Sequence, residues 1–212
     1  MQFEKGYLYH IYNQGNNKQK IFFNRENYIF FLKKINTFIL PYADILAWAL
    51  MPNHFHLMVL VNETKLIVTE DGSLEKIVGV AQSHADNKIK YRTLNDSIGI
   101  MLRSYTQAIN KQRNRTGKLI REKTKAECIN CPNGITPSFV FDAMAGSHRI
   151  NVAIPEKQYP QVCFNYIHQN PVKANLVKNA VDWEFSSAKD YFGLRNGKLI
   201  NKEVAREYVE VV

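Results

Sequence analysis

Two apolar runs, at residues 43–51 and 54–61, constrain the fold more than any other feature of the chain. They are separated only by a Pro-Asn dipeptide, and this pattern predicts two strands joined by a tight connection. The second run opens with His54 and His56. Because successive side chains of a strand point to opposite faces of the sheet, both imidazoles lie on one face and Phe55 lies on the other.

The histidine pair has two interpretations. Two neighbouring imidazoles on a rigid strand are a good pair of ligands for a divalent metal ion. Alternatively, His54 and His56 are structural residues whose ring nitrogens are satisfied by hydrogen bonds, since polar groups buried without partners are costly. The two residues alone leave both interpretations open.

The elements around this pair predict an α+β fold. Residues 7–12 are rich in β-forming side chains and precede a turn cluster at 13–17, and apolar side chains recur at helical spacing from 25 to 40. Strand, helix, strand, strand is the first half of a ferredoxin-like split β-α-β arrangement. We therefore expect an antiparallel sheet with helices on one face.

The rest of the chain predicts a further short strand and two helices. Residues 66–69 favour a short strand, and 82–96 a loop or an exposed helix. Residues 97–113 predict a helix, whose apolar stripe faces the sheet and consists of Ile98, Leu102, Tyr105 and Ile109. A helix at 158–168 is expected to stop before Pro171.

These patterns predict how the chain is organised. We expect a core with its catalytic helix at 1–128, an insertion or loop excursion at 129–155 containing a short strand at 139–141, and a C-terminal helical part at 156–212. The last part is expected to pack on the same domain, with a peripheral helical tail from residue 189.

The charge of the chain favours a polyanionic partner. It has 28 Lys and Arg against 19 Asp and Glu, a net charge of +9, which suits nucleic acid better than a membrane surface. Residues 111–125 hold much of this excess, and their basic side chains are Lys111, Arg113, Arg115, Lys118, Arg121, Lys123 and Lys125. A solvated helix end is the alternative, but the concentration of charge favours a phosphate-binding segment.

The sequence also bears on compartment. No apolar run reaches the roughly 20 residues of a membrane span, and the N-terminus lacks the features of a signal peptide. The three cysteines suggest no disulfide framework. Cys128 and Cys131 form a C-x-x-C that could bind zinc with Cys163 and His148, but two reduced loop thiols are the favoured interpretation. We expect a cytoplasmic protein, associated with the nucleoid when bound to DNA.

A histidine pair, a tyrosine on a helix that faces the sheet and a basic segment together indicate a reaction. The tyrosine hydroxyl could attack a DNA phosphodiester while a metal held by His54 and His56 polarises a non-bridging oxygen. Tyr105 is the candidate nucleophile. It could equally be a core aromatic of its stripe, and the chain has 11 tyrosines.

Several blocks resemble a known family. Residues 52–56, Pro-Asn-His-Phe-His, resemble the HUH motif of single-strand DNA transposases with one catalytic tyrosine. The blocks that resemble REP-associated tyrosine transposases are 105–110, 117–119, 166–176 and 183–187. Residues 9–15 are similar to the family's first strand, although Gln14 stands where the family often has Arg.

The resemblance implies a ferredoxin-like HUH nuclease fold, Mg²⁺ or Mn²⁺ as cofactor, and single-stranded DNA with a hairpin or palindrome as partner. It implies that Tyr105 is the nucleophile and that His54 and His56 bind the metal. Relatives often add Gln or Asn as a third ligand one turn after the tyrosine. That place holds Ile109, so Gln107 or Asn110 could substitute only with a different geometry.

The expected function is therefore that of a metal-dependent single-stranded DNA endonuclease and strand-transferase, a transposase that cleaves at or near hairpins through a 5′-phosphotyrosine. It would act without a membrane, as a monomer or a homodimer. Two alternatives remain open at this point. One is a domesticated nucleic-acid-binding module with weak or no cleavage, and the other is a metal-dependent hydrolase of another substrate.

Overall fold

The structure, a computed structural model, describes residues 2–76, 89–132, 137–138 and 155–211. Its strands, numbered in chain order, are β1 Leu8–Gln14, β2 Ala43–Met51, β3 His54–Val61, β4 Lys65–Val68, β5 Leu74–Glu75, β6 Lys90–Thr93 and β7 Lys125–Cys128. Its α-helices are α1 Arg25–Phe38, α2 Leu94–Gln112, α3 Tyr159–Lys173, α4 Ala188–Tyr191 and α5 Lys202–Tyr208.

The central sheet has the strand order β2-β3-β1-β7, and its neighbours run antiparallel. In this register Tyr12 of β1 lies opposite His56 of β3, and Gln14 lies opposite His54. A smaller sheet has the order β5-β4-β6. The predicted antiparallel α+β fold is confirmed, and β2 and β3 begin and end at the predicted residues.

Helices cover both faces of the central sheet rather than one. One face packs against α1 and α2, and the other packs against α3 and α5. The prediction of helices on one face is therefore wrong. The physical reason lies in β2 and β3, where nearly every residue is buried, so that two apolar faces both need a cover.

Helix α2 starts earlier than predicted because Thr93 caps it. The Thr93 side chain accepts from the Asp96 backbone N–H, and the Asp96 carboxylate accepts from the Thr93 N–H, which satisfies two donors at the helix start. The predicted apolar stripe, from Ile98 to Ile109, is buried in the core that α2 shares with α1 and the sheet.

Helix α3 continues past the proline that was expected to end it. Pro171 lies in its last turn, where its missing N–H removes a single helical hydrogen bond. The chain leaves the helix just afterwards, with the Ala174 N–H bonded to the Asn170 carbonyl and the Leu176 N–H to the Pro171 carbonyl. As a result Asn170 stays on the helix, one turn after Tyr166.

Three smaller expectations also change. Strand β1 extends to Gln14, and the end of the basic segment forms the edge strand β7. Cys128 and Cys131 form a disulfide, so the prediction of two reduced thiols is wrong and neither is available to zinc. Cys163 is a buried free cysteine. The strand expected at 139–141, residue His148 and residues 82–88 of the segment 82–96 lie outside the described residues, whereas residues 90–96 of that segment form β6 and the start of α2.

Candidate active site

The histidine pair opens β3. His54 is half-buried and His56 is buried, and their ring centroids lie 5.0 Å apart. Phe55 between them points to the opposite face, where its ring lies 5.1 Å from that of Phe31 in α1. The predicted sharing of one face by the two imidazoles is what the strand geometry produces.

Each imidazole is held through its Nδ1 atom. The Nδ1 of His54 lies 2.6 Å from the side-chain oxygen of Asn53. An amide oxygen can only accept, so Nδ1 carries the proton and Nε2 keeps its lone pair. The Nδ1 of His56 lies 2.9 Å from Nε2 of His10 on β1. The Nε2 of His56 is buried and has no hydrogen-bond partner among the described residues.

Burial keeps these imidazoles neutral. It lowers the pKa of His10 to about 3. It also lowers the pKa of His56 well below its ordinary value, and the neighbouring His10 and His54 add to the shift. The pKa of His54 is lowered by burial and partly restored by a hydrogen bond that the imidazole makes to the Asn170 side chain. Neutral imidazoles are the form that binds a metal ion.

Helix α3 brings a tyrosine to the histidines. The ring of Tyr166 meets that of His56 edge to face, with centroids 5.4 Å apart, and lies 5.9 Å from the ring of His10. The next turn of the same helix holds Asn170, which interacts with His54. Residues i and i+4 of a helix share a face, so Tyr166 and Asn170 both face the histidine pair.

His54, His56 and Tyr166 line a cleft of about 360 Å³ between the end of the sheet and α3. Its lining residues are Tyr12, Asn13, Gln14, His54, His56, Arg121, Lys123, Lys125, Ser138 and Tyr166. The three basic residues are exposed. They bring positive charge to the mouth of a cleft whose floor is formed by neutral imidazoles.

Backbone contacts fix the basic segment beside the cleft. The Arg121 N–H donates to the Gln14 carbonyl over 2.9 Å, and the Asn16 N–H donates to the Leu119 carbonyl over 2.9 Å. The Asn13 amide donates to the Arg121 carbonyl over 3.0 Å and to the Thr124 hydroxyl over 2.9 Å. The segment is therefore anchored to the end of β1, next to His54.

A second tyrosine of the cleft is engaged with a carboxylate. The hydroxyl of Tyr12 donates to Glu127 over 2.7 Å, and the other oxygen of Glu127 accepts from the backbone N–H and the hydroxyl of Ser138. Burial is the main cause that raises the pKa of Tyr12. Its ring stacks on that of His10, with centroids 4.7 Å apart, and lies 5.8 Å from that of His56, so that Tyr12, His10 and His56 form one cluster of rings.

Tyr105, the predicted nucleophile, is not in this cleft. It is fully buried on the other face of the sheet, against Phe22, Phe31 and the rest of the α1–α2 core. Its hydroxyl donates to the carbonyl of Ile21 over 2.7 Å, and burial strongly raises its pKa. Tyr105 is thus a core aromatic in this structure. This position disagrees with its predicted role as the nucleophile.

The other residues predicted on α2 also lie away from the histidines. Gln107 is exposed on the helix, and the Asn110 side chain donates to the Gly117 carbonyl. Neither lines the cleft, because α2 packs on the opposite face. The prediction that one of them is the third metal ligand therefore disagrees with the structure.

Of the seven predicted DNA-binding residues, Arg121, Lys123 and Lys125 line the cleft. The other four lie in the last turn of α2 or shortly after it and are not among the lining residues. Arg113 lies over the ring of Phe23, Arg115 donates to Gln19, and Lys118 pairs with Glu122. Lys111 is exposed in the last turn of the helix.

The site fits a divalent metal ion through a limited set of donors. No three His, Cys, Asp or Glu side chains converge within the described part of the chain. The available donors are two imidazoles and the amide of Asn170. The unpartnered Nε2 of His56 and the lone pair on Nε2 of His54 are the atoms that a cation would satisfy. This set of nitrogen and oxygen donors can accommodate Mn²⁺ or Mg²⁺.

Sequence reasoning did not select Tyr166, Asn170 or His10 as site residues. The signal for the first two was present, since a tyrosine followed one turn later by Asn or Gln is found at Tyr166 and Asn170. At Tyr105 the same place holds Ile109. The apolar residues around Tyr166 concealed it as one more member of a helical stripe.

Comparisons with known proteins agree with the fold. No family model matches the chain, and no curated protein matches it. One solved structure has a similar arrangement of an antiparallel sheet between helices. The solved structure that shows this is a REP-associated tyrosine transposase bound to a REP hairpin. It superposes with a TM-score of 0.52 at 13% sequence identity, covering 95% of this chain and 94% of that chain.

In the described residues, no helix is both long and apolar enough to traverse a lipid bilayer.

Proposed function

We propose that the protein is a metal-dependent single-stranded DNA endonuclease and strand-transferase whose nucleophile is Tyr166. The observation that carries this proposal is the convergence of Tyr166, His54 and His56 in one cleft with three exposed basic side chains at its mouth. The sequence pointed to the same reaction but to a tyrosine on the other face. The likeness of the fold to a transposase bound to a DNA hairpin supports this class of activity.

The chemistry needs a single displacement. The Tyr166 oxygen attacks the phosphorus atom, a bond forms between them, and the bond from phosphorus to the 3′ oxygen breaks. The phenolic proton passes to water, and the leaving oxygen takes up a proton to become a free 3′-hydroxyl. The 5′-phosphotyrosine retains the energy of the phosphodiester, so attack by another 3′-hydroxyl rejoins the strand and releases Tyr166.

His54, His56 and Asn170 would hold the metal ion. When bound, Mg²⁺ or Mn²⁺ would polarise a non-bridging phosphate oxygen. The protein residues position the reaction around it. Lys123 and Lys125 attract the DNA backbone, Arg121 supplies a planar donor for a phosphate, and the packing of the Tyr166 ring on His56 fixes the direction of the hydroxyl-bearing side chain.

The substrate we propose is a single strand that carries a hairpin. Phosphate contacts from the basic residues would supply affinity without choosing a sequence. A protein of this activity would work in the cytoplasm, on the nucleoid, as a monomer or a homodimer.

The test uses a labelled single strand with a hairpin, Mn²⁺ and a denaturing gel. We expect a covalent protein–DNA adduct for the native chain and its loss in Tyr166→Phe. Tyr105→Phe and Tyr12→Phe are matched controls, since each removes one hydroxyl, one from the core and one from the same cleft. Both should retain the adduct, and peptide mapping should place the DNA on Tyr166.

Other outcomes select other functions. An adduct that persists in Tyr166→Phe and disappears in Tyr105→Phe would restore the sequence-based assignment. Binding of hairpins with no adduct under any metal would favour the nucleic-acid-binding module, for which the absence of a three-residue His, Cys, Asp or Glu centre among the described residues is the supporting observation. Cleavage with no adduct would favour a hydrolase.

A further inference from the structure

We propose that His10 is a positioning residue for the metal site, which accepts a hydrogen bond from Nδ1 of His56 and thereby keeps the lone pair of His56 Nε2 directed at the cleft. This inference rests on the proposed function, because it concerns the same metal site. It adds a residue on a different strand that touches neither metal nor DNA.

The contact between the two rings permits two arrangements of protons. His10 Nε2 and His56 Nδ1 are 2.9 Å apart, and only one of them can carry the shared proton. If it resides on His56 Nδ1, the neutral ring has a lone pair on Nε2 and can bind a cation. If it resides on His10 Nε2, the neutral His56 carries its own proton on Nε2 and cannot.

The surroundings favour the first arrangement. Nε2 of His56 has no hydrogen-bond partner among the described residues, and the cleft that His56 lines also contains Arg121, Lys123 and Lys125. A lone pair, the negative end of the imidazole dipole, is favoured next to three cations, whereas an N–H group in the same place is repelled by them.

The fold holds His10 in place for this role. It is 1% exposed, and its ring is stacked at 4.7 Å on Tyr12 and at 5.1 Å on His56, nearly parallel to both. Tyr12 is fixed in turn by Glu127. The cluster of three rings across β1 and β3 therefore sets the orientation of the His56 imidazole before any metal binds.

The two histidines of the pair reach the same state by different means. Asn53 presents an oxygen to His54 Nδ1 and fixes its proton there without ambiguity. At Nδ1 of His56 the partner is instead a second imidazole, that of His10. Ligating histidines are commonly oriented through their other ring nitrogen, and mutation of the orienting group typically weakens metal binding by about 10- to 100-fold.

The first test needs no variant and no metal. Ring nitrogen resonances of the ¹⁵N-labelled native protein report which nitrogen of each histidine is protonated. We expect His56 to carry its proton on Nδ1 and His10 on Nδ1 as well. A proton on Nε2 of His56 would overturn the inference.

The second test measures Mn²⁺ binding by calorimetry. His10→Phe keeps an aromatic ring but has no acceptor, so we expect its affinity for Mn²⁺ to fall by about 10- to 100-fold. His10→Gln presents an amide oxygen near the position of Nε2, so it should stay close to the native affinity. His168→Gln, which changes a buried histidine bonded to Ser187 instead, is the matched control and should bind Mn²⁺ as the native chain does.

These measurements separate the two proposals. If the native protein binds no Mn²⁺, the metal-dependent function fails, whatever the proton positions are. If it binds Mn²⁺ and His10→Phe binds it equally well, the function stands and the role of His10 is refuted. Should His10→Phe fail to fold, as judged by its thermal transition, the proton positions in the native chain and the His10→Gln affinity decide the matter.

Discussion

The two faces of the central sheet use the same strand in opposite ways. On one face of β3, Phe55, Leu57 and Val59 belong to an apolar core that contains Tyr105. On the other face, His54 and His56 form the floor of a polar cleft beside Tyr166. One step along the strand changes the face of the side chain, so adjacent residues of one strand belong separately to the apolar core and to the candidate site.

The two faces also differ in whether a buried polar atom has a hydrogen-bond partner. Tyr105 is buried, but its hydroxyl is satisfied by the Ile21 carbonyl. The histidine face has a buried nitrogen, His56 Nε2, that no described group satisfies. A satisfied polar atom in a core is structural, and an unsatisfied one beside a cleft indicates a partner.

The largest effect we expect is the difference in stability between alanine variants of Phe55 and its neighbour His56. Phe55→Ala removes a fully buried ring that packs on Phe31, and the free energy of unfolding should fall by about 3–5 kcal/mol. His56→Ala should lower it by only about 1 kcal/mol while abolishing Mn²⁺ binding. Chemical denaturation and calorimetry measure the two effects. Equal losses of stability would show that both faces are structural.

The second prediction concerns the stability of the protein in acid, and it depends on His168 in α3. Burial lowers the pKa of His168 in α3 to about 4, below the value near 6.5 of the unfolded chain. Between these two pKa values the unfolded state binds a proton that the folded state does not. The stability that neutral His168 contributes is therefore complete above pH ~6.5 and is lost as the pH falls towards ~4.

At pH ~4.5 the free energy of unfolding should have fallen by about 2 kcal/mol because of His168. His168→Gln cannot take up a proton, so the curve of unfolding free energy against pH should become flatter between pH ~6.5 and ~4 for this variant. A native protein whose stability does not change over this range, or a variant with an unchanged slope, would contradict the assignment.

The fold was largely predictable because its signals are local. The residues of β2 and β3, the helical stripe of α2 and the sharing of a face by His54 and His56 all follow from the period of the sequence pattern. Strand β7 was missed because its residues lie in a charged run, and its pairing with β1 is a long-range contact. Helix α3 was predicted too short because one proline in a last turn costs little.

The site was only half predictable. The sequence gives the spacing of Tyr105 and Tyr166 within their helices, but it does not say against which face of the sheet each helix packs. Both tyrosines lie in apolar stripes, so their own patterns are equivalent. The contact of His10 with His56 depends on the register of β1 against β3, which no local pattern encodes.

The third prediction compares the two hydroxyl groups by their effect on stability. Tyr105→Phe leaves the Ile21 carbonyl buried without this donor, and we expect a loss of about 1 kcal/mol. Tyr166→Phe, at a half-buried position of α3, should change the free energy of unfolding by less than about 0.5 kcal/mol. Thermal unfolding of the two variants checks this, and a reversed order would place the structural hydroxyl on the histidine face.

The smallest effect we expect concerns the salt dependence of DNA binding, which should distinguish two groups of basic side chains. Arg121→Gln with Lys125→Gln removes charge from the cleft, whereas Arg113→Gln with Lys118→Gln removes the same charge from side chains engaged with Phe23 and Glu122. Each phosphate contact adds about 0.7 to the slope of log affinity against log salt for single strands. The first double variant should therefore reduce that slope by about 1.4, and the second should leave it nearly unchanged. If both reduce it equally, the whole segment 111–125 binds phosphates as the sequence predicted, and the path of the DNA extends from the cleft towards the end of α2.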